Sequence, residues 1–303
     1  MEKEVVIIGG GPAGLSCGIY TARTKIPTLI IEKLLPGGTM LLTDRIENYP
    51  GFPEGITGPQ LSEKMEKHYR EFGGEILIDE AVDIDIKEKN VKLRSGNCVK
   101  GKVIVIATGG RKKKLGVEGE ERLKGKGVYY CAICDGAFFK EKTVAVVGGG
   151  FSAIEEAIFL TKFVKMCYLI HRRDNFRAKG HIIDKLLSNP KIKPVLSSTV
   201  ERIEGTDKVE NIVIKDKKEG KVYDLKVDGI FISIGQIPNT EFLKGKIEMD
   251  ENGYIITNEN METSIPGIFA IGDVRKKQLY QIITACGDGA IAGFFAEKFL
   301  NNN

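Results

Sequence analysis

Val5-Val6-Ile7-Ile8-Gly9-Gly10-Gly11-Pro12-Ala13-Gly14 sets the frame in which the rest of the chain is read. Four apolar residues in a row are the pattern of a strand buried on both faces. The glycines at 9, 11 and 14 fit Gly-x-Gly-x-x-Gly, and a helical pattern starts at Leu15. Glycine is required there so that the turn can close, the backbone can approach a pyrophosphate, and the helix can pack on the strand. A second strand, Thr28-Leu29-Ile30-Ile31, ends in Glu32, which is 32 − 9 = 23 residues after the first glycine. A carboxylate at that offset can take a ribose hydroxyl. The glycine motif alone is weak; strand, turn, helix, strand and acid together read as a dinucleotide-binding unit.

The pattern then repeats. Thr143-Val144-Ala145-Val146-Val147 is a second buried strand, and Gly148-Gly149-Gly150-Phe151-Ser152-Ala153 is a Gly-x-Gly-x-x-Ala turn. A helix is expected from Ile154 to about Phe163, and a strand at Cys167-Tyr168-Leu169-Ile170. Finding the same unit twice is worth more than either copy alone. Adding the same 23 residues to Gly148 gives His171, followed by Arg172, Arg173 and Arg177. A carboxylate there would repel a 2′-phosphate, whereas guanidinium groups bind it through charge-assisted hydrogen bonds. The first copy should therefore hold FAD or NAD(H), and the second NADP(H). A surface loop that is basic by chance does not account for the shared offset.

Between the copies lies Tyr130-Cys131-Ala132-Ile133-Cys134-Asp135-Gly136. Two cysteines separated by two residues can close a small disulfide ring in which one thiol has a lowered pKa. Asp135 follows, well placed to accept or return a proton. Half of a zinc site looks the same, but zinc needs a second pair of ligands. Cys17, Cys98, Cys167 and Cys286 stand singly and far apart, and read as small buried residues. His68, His171 and His181 show no ligand spacing. A structural disulfide would imply an oxidising compartment, for which nothing else argues. Redox chemistry is the reading that remains.

Leu35-Pro36-Gly37-Gly38-Thr39 and Ile46-Glu47-Asn48-Tyr49-Pro50-Gly51 are loop by composition, and their place beside a cofactor turn favours ligand contact over a plain connector. Residues 58–72 form an amphipathic helix with Leu61, Met65, His68, Tyr69 and Phe72 at helical spacing, His68 being packed rather than catalytic. Four strand-like runs follow between 75 and 106, the last entering the small-residue turn Ala107-Thr108-Gly109-Gly110. Gly229 to Gly235 repeats that arrangement, with Ile234-Gly235 at the turn. Ile265 to Asp273 is a strand ending in Gly272-Asp273, suited to bonding ribityl hydroxyls. Gln281-Ile282-Ile283-Thr284-Ala285 leads into an apolar helix from about Gly287 to Leu300. Its N-terminal dipole would favour a reduced anionic flavin, although the helix is equally well a packing element.

With 303 residues the chain is too long for one ordinary core, and two domains are expected. Apolar residues make up 42% and charged residues 28%, as in soluble globular proteins. The net charge of +4 is small and dispersed, which argues against nucleic acid, and Arg111-Lys112-Lys113-Lys114 reads as a solvated loop. No apolar run approaches the length of a membrane span. The N-terminus enters a strand without a signal-peptide pattern, so the expectation is a cytoplasmic location.

Taken together these residues resemble the low-molecular-weight thioredoxin reductases, over essentially the whole chain. The matching stretches are Gly9 to Gly14, Ile46 to Gly51, Ala107-Thr108-Gly109, Cys131 to Gly136, the turn at 148–153, His171 to Arg177, and Gly272-Asp273. The most specific of these is the Cys pair lying just before the second nucleotide strand. Glutathione-reductase-like enzymes carry their pair inside the FAD domain and need an extra dimer domain, for which this chain has no room. The resemblance implies an α/β fold of two Rossmann-like, three-layer ββα dinucleotide-binding domains. The NADPH domain (114–243) would be inserted into a discontinuous FAD domain (1–113 and 244–303).

It implies FAD contacts at Gly9, Gly11, Pro12, Ala13, Gly14, Glu32, Lys33, Gly37, Gly38, Thr39, Asn48, Ala107, Thr108, Gly109, Gly272, Asp273, Gln281 and Ile282. NADPH contacts would fall at Gly150, Ser152, Ala153, His171, Arg172, Arg173, Arg177, Ile234 and Gly235. In the family's mechanism hydride passes from NADPH to FAD and then reduces the Cys pair, and the NADPH domain rotates to present the dithiol to thioredoxin. Cys134 would face the flavin, Cys131 would attack the disulfide of thioredoxin or a thioredoxin-like protein, and Asp135 would act as acid–base. Phe138-Phe139 is either part of the thioredoxin contact or core. A homodimer is also implied.

Three residues depart from the family pattern: Phe151 where Asp or Asn is common, Thr39 for Gln, and Tyr280 for Arg. They bear on affinities and docking rather than on cofactor class. The rival readings are the reductase of a peroxide-reducing system or of another thioredoxin-like carrier, a flavoprotein fed by ferredoxin, and a redox-sensing flavoprotein with an inert disulfide. The first usually carries an extra N-terminal region, and the second lacks the basic cluster.

Overall fold

The computed structural model describes residues 1–43, 45–176, 178 and 180–302. By internal packing the chain divides into two compact units, Met1–Arg111 with Ile237–Asn303, and Lys112–Gln236.

In the first unit, β1 (Glu2–Ile8) leads through the glycine turn into α1 (Pro12–Arg23) and β2 (Thr28–Glu32). A five-residue 3₁₀ turn at Gly38–Leu42 interrupts the expected loop, and α2 (Gly58–Glu71) follows, closed by a capping box of Thr57 and Gln60. Next come β3 (Glu75–Ile78), β4 (Ala81–Asp85), β5 (Asn90–Leu93) and β6 (Cys98–Ile106).

Leu61, Met65 and Tyr69 of α2 are buried, but His68 is exposed, its ring 5.2 Å from that of Phe72. It lies one residue, about 100° of helix, away from Tyr69, which carries it off the buried stripe. The expectation of a packed His68 is corrected. Cys98 likewise is exposed at the open start of β6, not buried.

The chain crosses to the second unit in β7 (Gly110–Lys112), so the basic run begins as a strand and not as a loop. The second unit holds β8 (Val128–Tyr129), α3 (Ala132–Asp135), β9 (Thr143–Val147), α4 (Phe151–Leu160), β10 (Met166–Ile170), α5 (His181–Leu187) and β11 (Ile192–Val195). The strands β12 (Ser198–Glu204), β13 (Asn211–Asp216), β14 (Val222–Lys226) and β15 (Gly229–Ile232) complete it. The return crossing is β16 (Gln236–Pro238), which pairs with β7. Two last elements, β17 (Ile268–Ala270) and α6 (Ile282–Asn301), belong to the first unit.

β1 lies mid-sheet between two parallel neighbours, with Val6 opposite Leu29 of β2 and Ile104 of β6. Both of its faces are therefore covered, which is why its run does not alternate with polar residues. Val5 and Ile7 face a core shared with α1, α2 and α6; Val6 and Ile8 face the opposite core, shared with β4 and β5. The start of β6 pairs antiparallel with β5, and its end pairs parallel with β17, Ile104 opposite Ile268.

α1 and α6 pack backbone to backbone. A Cβ on Gly289 would fall 2.3 Å from the Ala13 carbonyl oxygen, and one on Gly293 would fall 2.7 Å from the Tyr20 Cβ. α6 thus begins at Ile282, five residues before the expected Gly287, and its glycines are interior contact points.

The second unit repeats the plan. Five parallel strands run in the order β11-β10-β9-β15-β8. α4 and α5 cover one face, and the antiparallel sheet β12-β13-β14 covers the other through Val200, Ile203, Ile212 and Ile214. This is a three-layer α/β unit.

Candidate active site

The turn after β1 is built to be close to backbone. Gly9 has φ +109°, and a Cβ there would lie 2.4 Å from the Ala107 carbonyl oxygen. Glu32 does not leave its carboxylate wholly free: Oε2 accepts the Gly10 N–H at 2.7 Å and Oε1 the Leu34 N–H at 3.0 Å. It braces the turn from below. Gly11 caps α1 without any side-chain hydrogen bond, and a Cβ on it would meet nothing within 4 Å. An uncapped helix N-terminus with open space before it fits an anion such as a pyrophosphate. Pro12, Ala13 and Gly14 form the first turn of that helix.

Gly37 N–H donates to the Gly10 carbonyl at 2.7 Å, which brings the 37–39 stretch to the same turn. Gly38 and Thr39 are exposed there. Lys33, by contrast, is committed to Glu80 at 2.8 Å on the surface. Asn48 Nδ2 donates to Gln281 Oε1 at 3.0 Å, joining two residues 233 apart in sequence. Gln281 caps α6, in which Ile282 is the first residue. At the end of β6, Ala107 is buried, Gly109 has φ +65°, and Thr108 is locked to Asn239 by two reciprocal bonds of 2.8 Å.

Gly272 and Asp273 rest on a network that the sequence reading missed. Asp288 is buried in α6 and accepts the Gly272 N–H at 2.9 Å, Lys277 Nζ at 3.1 Å and Arg275 Nη1 at 3.3 Å. Lys277 Nζ also lies 3.9 Å from Asp273. The available signal was an acid inside an otherwise apolar helix, since a buried carboxylate needs partners.

In the second unit the turn is tighter still. A Cβ on Gly149 would fall 2.1 Å from Nδ1 of His171, whose ring stacks on Phe176 at 5.8 Å. His171 is only 6% exposed, so it forms the floor of the turn, while Arg172 and Arg173 stand in solvent. Arg177 lies outside the described residues. Gly150 caps α4 with no side-chain bond, Ser152 is exposed and Ala153 buried, and Phe151 is 55% exposed at the helix start. Ile234 is half-buried, and a Cβ on Gly235 (φ +111°) would lie 3.6 Å from the Lys113 side chain. Glu156, on α4, hydrogen-bonds Ser233; burial pushes its carboxyl up to about 7, against the pull of Lys112.

Cys131 and Cys134 form a disulfide in the same unit. Cys131 is the N-cap of α3, and its sulfur accepts the Cys134 N–H at 3.2 Å. That donor would favour a thiolate on Cys131 over one on a solvated sulfur. Asp135 closes the helical turn, donating its N–H to the Cys131 carbonyl at 3.1 Å. Burial pushes the thiols of Cys17 and Cys167 up to about 12, which sets them apart as inert. Phe138 and Phe139 separate: Phe139 is 5% exposed, edge-on to Tyr129 and Phe231, whereas Phe138 is 41% exposed. Ile133, between the cysteines, is exposed too.

Residues 3–289 match the family described as pyridine nucleotide-disulphide oxidoreductase. The chain belongs to this family. It is 44% identical to a thioredoxin reductase of Peptoclostridium acidaminophilum over 99% of this chain and 98% of that one. It is 45% identical to a thioredoxin reductase of Bacillus subtilis, over 98% and 94%. The solved thioredoxin reductase of Streptococcus pyogenes superposes with a TM-score of 0.93 at 44% identity, covering 100% of this chain and 99% of that one. Pyridine nucleotide-disulphide oxidoreductases join flavin, nicotinamide and disulfide chemistry, so the protein is an oxidoreductase of the flavin and nicotinamide type. Both open helix N-termini suit such dinucleotides.

Proposed function

We propose that the protein is an NADPH-dependent thioredoxin-disulfide reductase that carries FAD in the first unit and NADPH in the second. The observation that carries this reading is the closed Cys131–Cys134 disulfide in the same unit as the turn backed by Arg172 and Arg173. FAD, when bound, relays two electrons from the nicotinamide to the disulfide. The open N-terminus of α1, Glu32 and the Gly272-Asp273 corner would hold its pyrophosphate, ribose and ribityl parts. Arg172 and Arg173 select the 2′-phosphate of NADPH, with Arg177 as a third cation.

Cys134 takes the electrons, Cys131 attacks the disulfide of thioredoxin or a thioredoxin-like protein, and Asp135 moves the proton. Ile133 and Phe138 offer an exposed apolar surface beside the pair, fitted to an incoming protein. A homodimer and a cytoplasmic location belong to the same proposal. Among the described residues no helix is long and apolar enough to cross a membrane.

The test is an anaerobic titration of the flavin-loaded protein, in parallel with NADPH and NADH. Bleaching of the flavin that takes up about two equivalents of NADPH per subunit supports the reading, since flavin and disulfide each accept two electrons. Uptake of one equivalent, or NADPH-driven disulfide turnover unaffected by Cys134→Ser, would sink the assigned roles.

A further inference from the structure

Just upstream of the cysteines, Tyr130 donates its hydroxyl to Oε1 of Glu120 at 2.7 Å. Glu120 is only 2% exposed, and its carboxylate also accepts the N–H groups of Leu115 at 3.0 Å and Gly116 at 2.7 Å. A buried carboxylate is costly unless its oxygens are engaged, and here three donors converge on it. Its backbone is fixed as well. A Cβ on the preceding Gly119 would lie 1.9 Å from the Ile203 carbonyl oxygen, and Ile203 N–H donates to the Glu118 carbonyl at 2.9 Å. The phenol of Tyr130 is thus tied to Glu120, in a segment that Glu118 and Gly119 pin against Ile203 of β12.

Inside the ring Ala132 is buried, and beyond the pair Phe139 is buried in the same helical core. The cysteines are bracketed by one polar anchor and one apolar anchor. We propose that Tyr130, held by Glu120, is a positioning residue for the redox pair, which keeps the two reduced sulfurs near the geometry of the closed ring. It rests on the reading of Cys131–Cys134 as the redox centre.

The physical consequence concerns the dithiol more than the disulfide. While the S–S bond is closed, the four-residue ring itself restrains Cys131. Once it opens, the Tyr130 anchor acts with the buried Ala132 and Phe139 and the Asp135 N–H bond to the Cys131 carbonyl to limit how far the sulfurs drift, and their effective concentration for one another sets the redox equilibrium. Loosening the Tyr130 anchor gives conformational freedom to the dithiol form alone, so reduction becomes easier.

The experiment equilibrates the flavin-loaded protein anaerobically with dithiothreitol and its cyclic disulfide, without NADPH. The protein S–S bond breaks as the reagent's S–S bond forms, and two electrons and two protons pass to the two protein sulfurs. Alkylation and mass spectrometry of the 131–134 peptide give the dithiol-to-disulfide reagent ratio at half-reduction. For Tyr130→Phe that ratio should fall roughly threefold to tenfold, where tenfold equals about 30 mV. Glu120→Gln, which keeps an oxygen for the phenol, should move it in the same direction by less.

A ratio within twofold of the parent for both variants, whatever happens to the melting temperature, overturns the proposal, because a contact of purely structural value destabilises both redox forms equally. A shift to harder reduction overturns it as well. Should Tyr130→Phe fail to fold, Glu120→Gln alone decides. A parent pair that titrates with dithiothreitol but takes no electrons from NADPH would sink the proposed function and leave this inference standing.

Discussion

Glu32 and His171 hold the same place in the two halves of this protein: each side chain lies beneath the second glycine of its nucleotide turn. A Cβ on Gly10 would meet Glu32 at 3.2 Å, and one on Gly149 would meet the His171 ring at 2.1 Å. The acid braces its turn by a hydrogen bond, the imidazole by direct packing. At this position the two cofactor sites therefore differ in how their turns are supported as well as in the charge they present.

Alanine at the two glycines should consequently behave differently. Gly149→Ala drives a methyl into a buried ring and should lose NADPH binding, with a stability loss of roughly 1–3 kcal/mol from overpacking. Gly10→Ala brings a methyl to 3.2 Å from Glu32, a tight contact rather than an overlap, and should cost less. Melting curves and nucleotide titrations of the two variants check this; equal losses would contradict it.

Arg172 and Arg173 are exposed, so their replacement should leave stability unchanged. Each change to Ala should lower kcat/KM with NADPH by roughly tenfold to hundredfold, the worth of a charge-assisted hydrogen bond, while NADH is barely affected. His171→Ala should instead weaken both nucleotides, because it removes the floor of the turn. Steady-state kinetics with both donors separates the two behaviours.

Glu156 gives a pH signature. Its folded-state value of about 7 lies above the ordinary 4.5, so the folded protein binds more protons than the unfolded chain between those values. Stability should therefore be fully expressed below pH ~4.5 and fall as pH rises through ~7, by an amount on the order of a few kcal/mol. Glu156→Gln should flatten this slope in melting temperatures measured from pH 5 to 8. An unchanged slope would assign the pH dependence elsewhere.

Asp288 holds two cations and one backbone N–H out of solvent. Asp288→Ala leaves Arg275 and Lys277 without that charge, and breaking a buried pair this way costs about 3–5 kcal/mol. Because Gly272 loses its acceptor too, flavin should be retained less tightly. The melting temperature of the flavin-free protein and the flavin content after dialysis read the two effects separately.

The neighbouring phenylalanines should divide function from folding. Phe139→Ala opens a cavity among Tyr129 and Phe231 and should cost about 3–5 kcal/mol. Phe138→Ala should leave stability intact and raise the KM for thioredoxin. If both lower only the melting temperature, Phe138 is not a docking residue.

The two glycine turns, their strands and the Cys pair were legible in the sequence because each is encoded within a few dozen contiguous residues. What escaped it depends on partners distant in the chain. The sequence suggests a last helix from about Gly287; in the fold α6 starts at Ile282, and Gly289 and Gly293 are where α1 presses against it. The role of Asp288 emerges only with Arg275, Lys277 and the Gly272 N–H gathered around it in the fold. His68 followed the helical spacing but fell beside the buried stripe, and Cys98 opened a strand whose first residue is uncovered. Phe138 and Phe139 are indistinguishable by type, and only the core decides which one turns inward.

The strand β17 enters the first sheet beside β6, although 161 residues separate the end of one from the start of the other (268 − 106 = 162 positions). On a translating ribosome, the second unit is synthesised whole before this strand exists. Its parallel sheet can close while the first unit still exposes the edge of β6 and the face that α6 will cover. The second unit can thus be complete before the first, and α1, among the first elements made, waits for α6, the last.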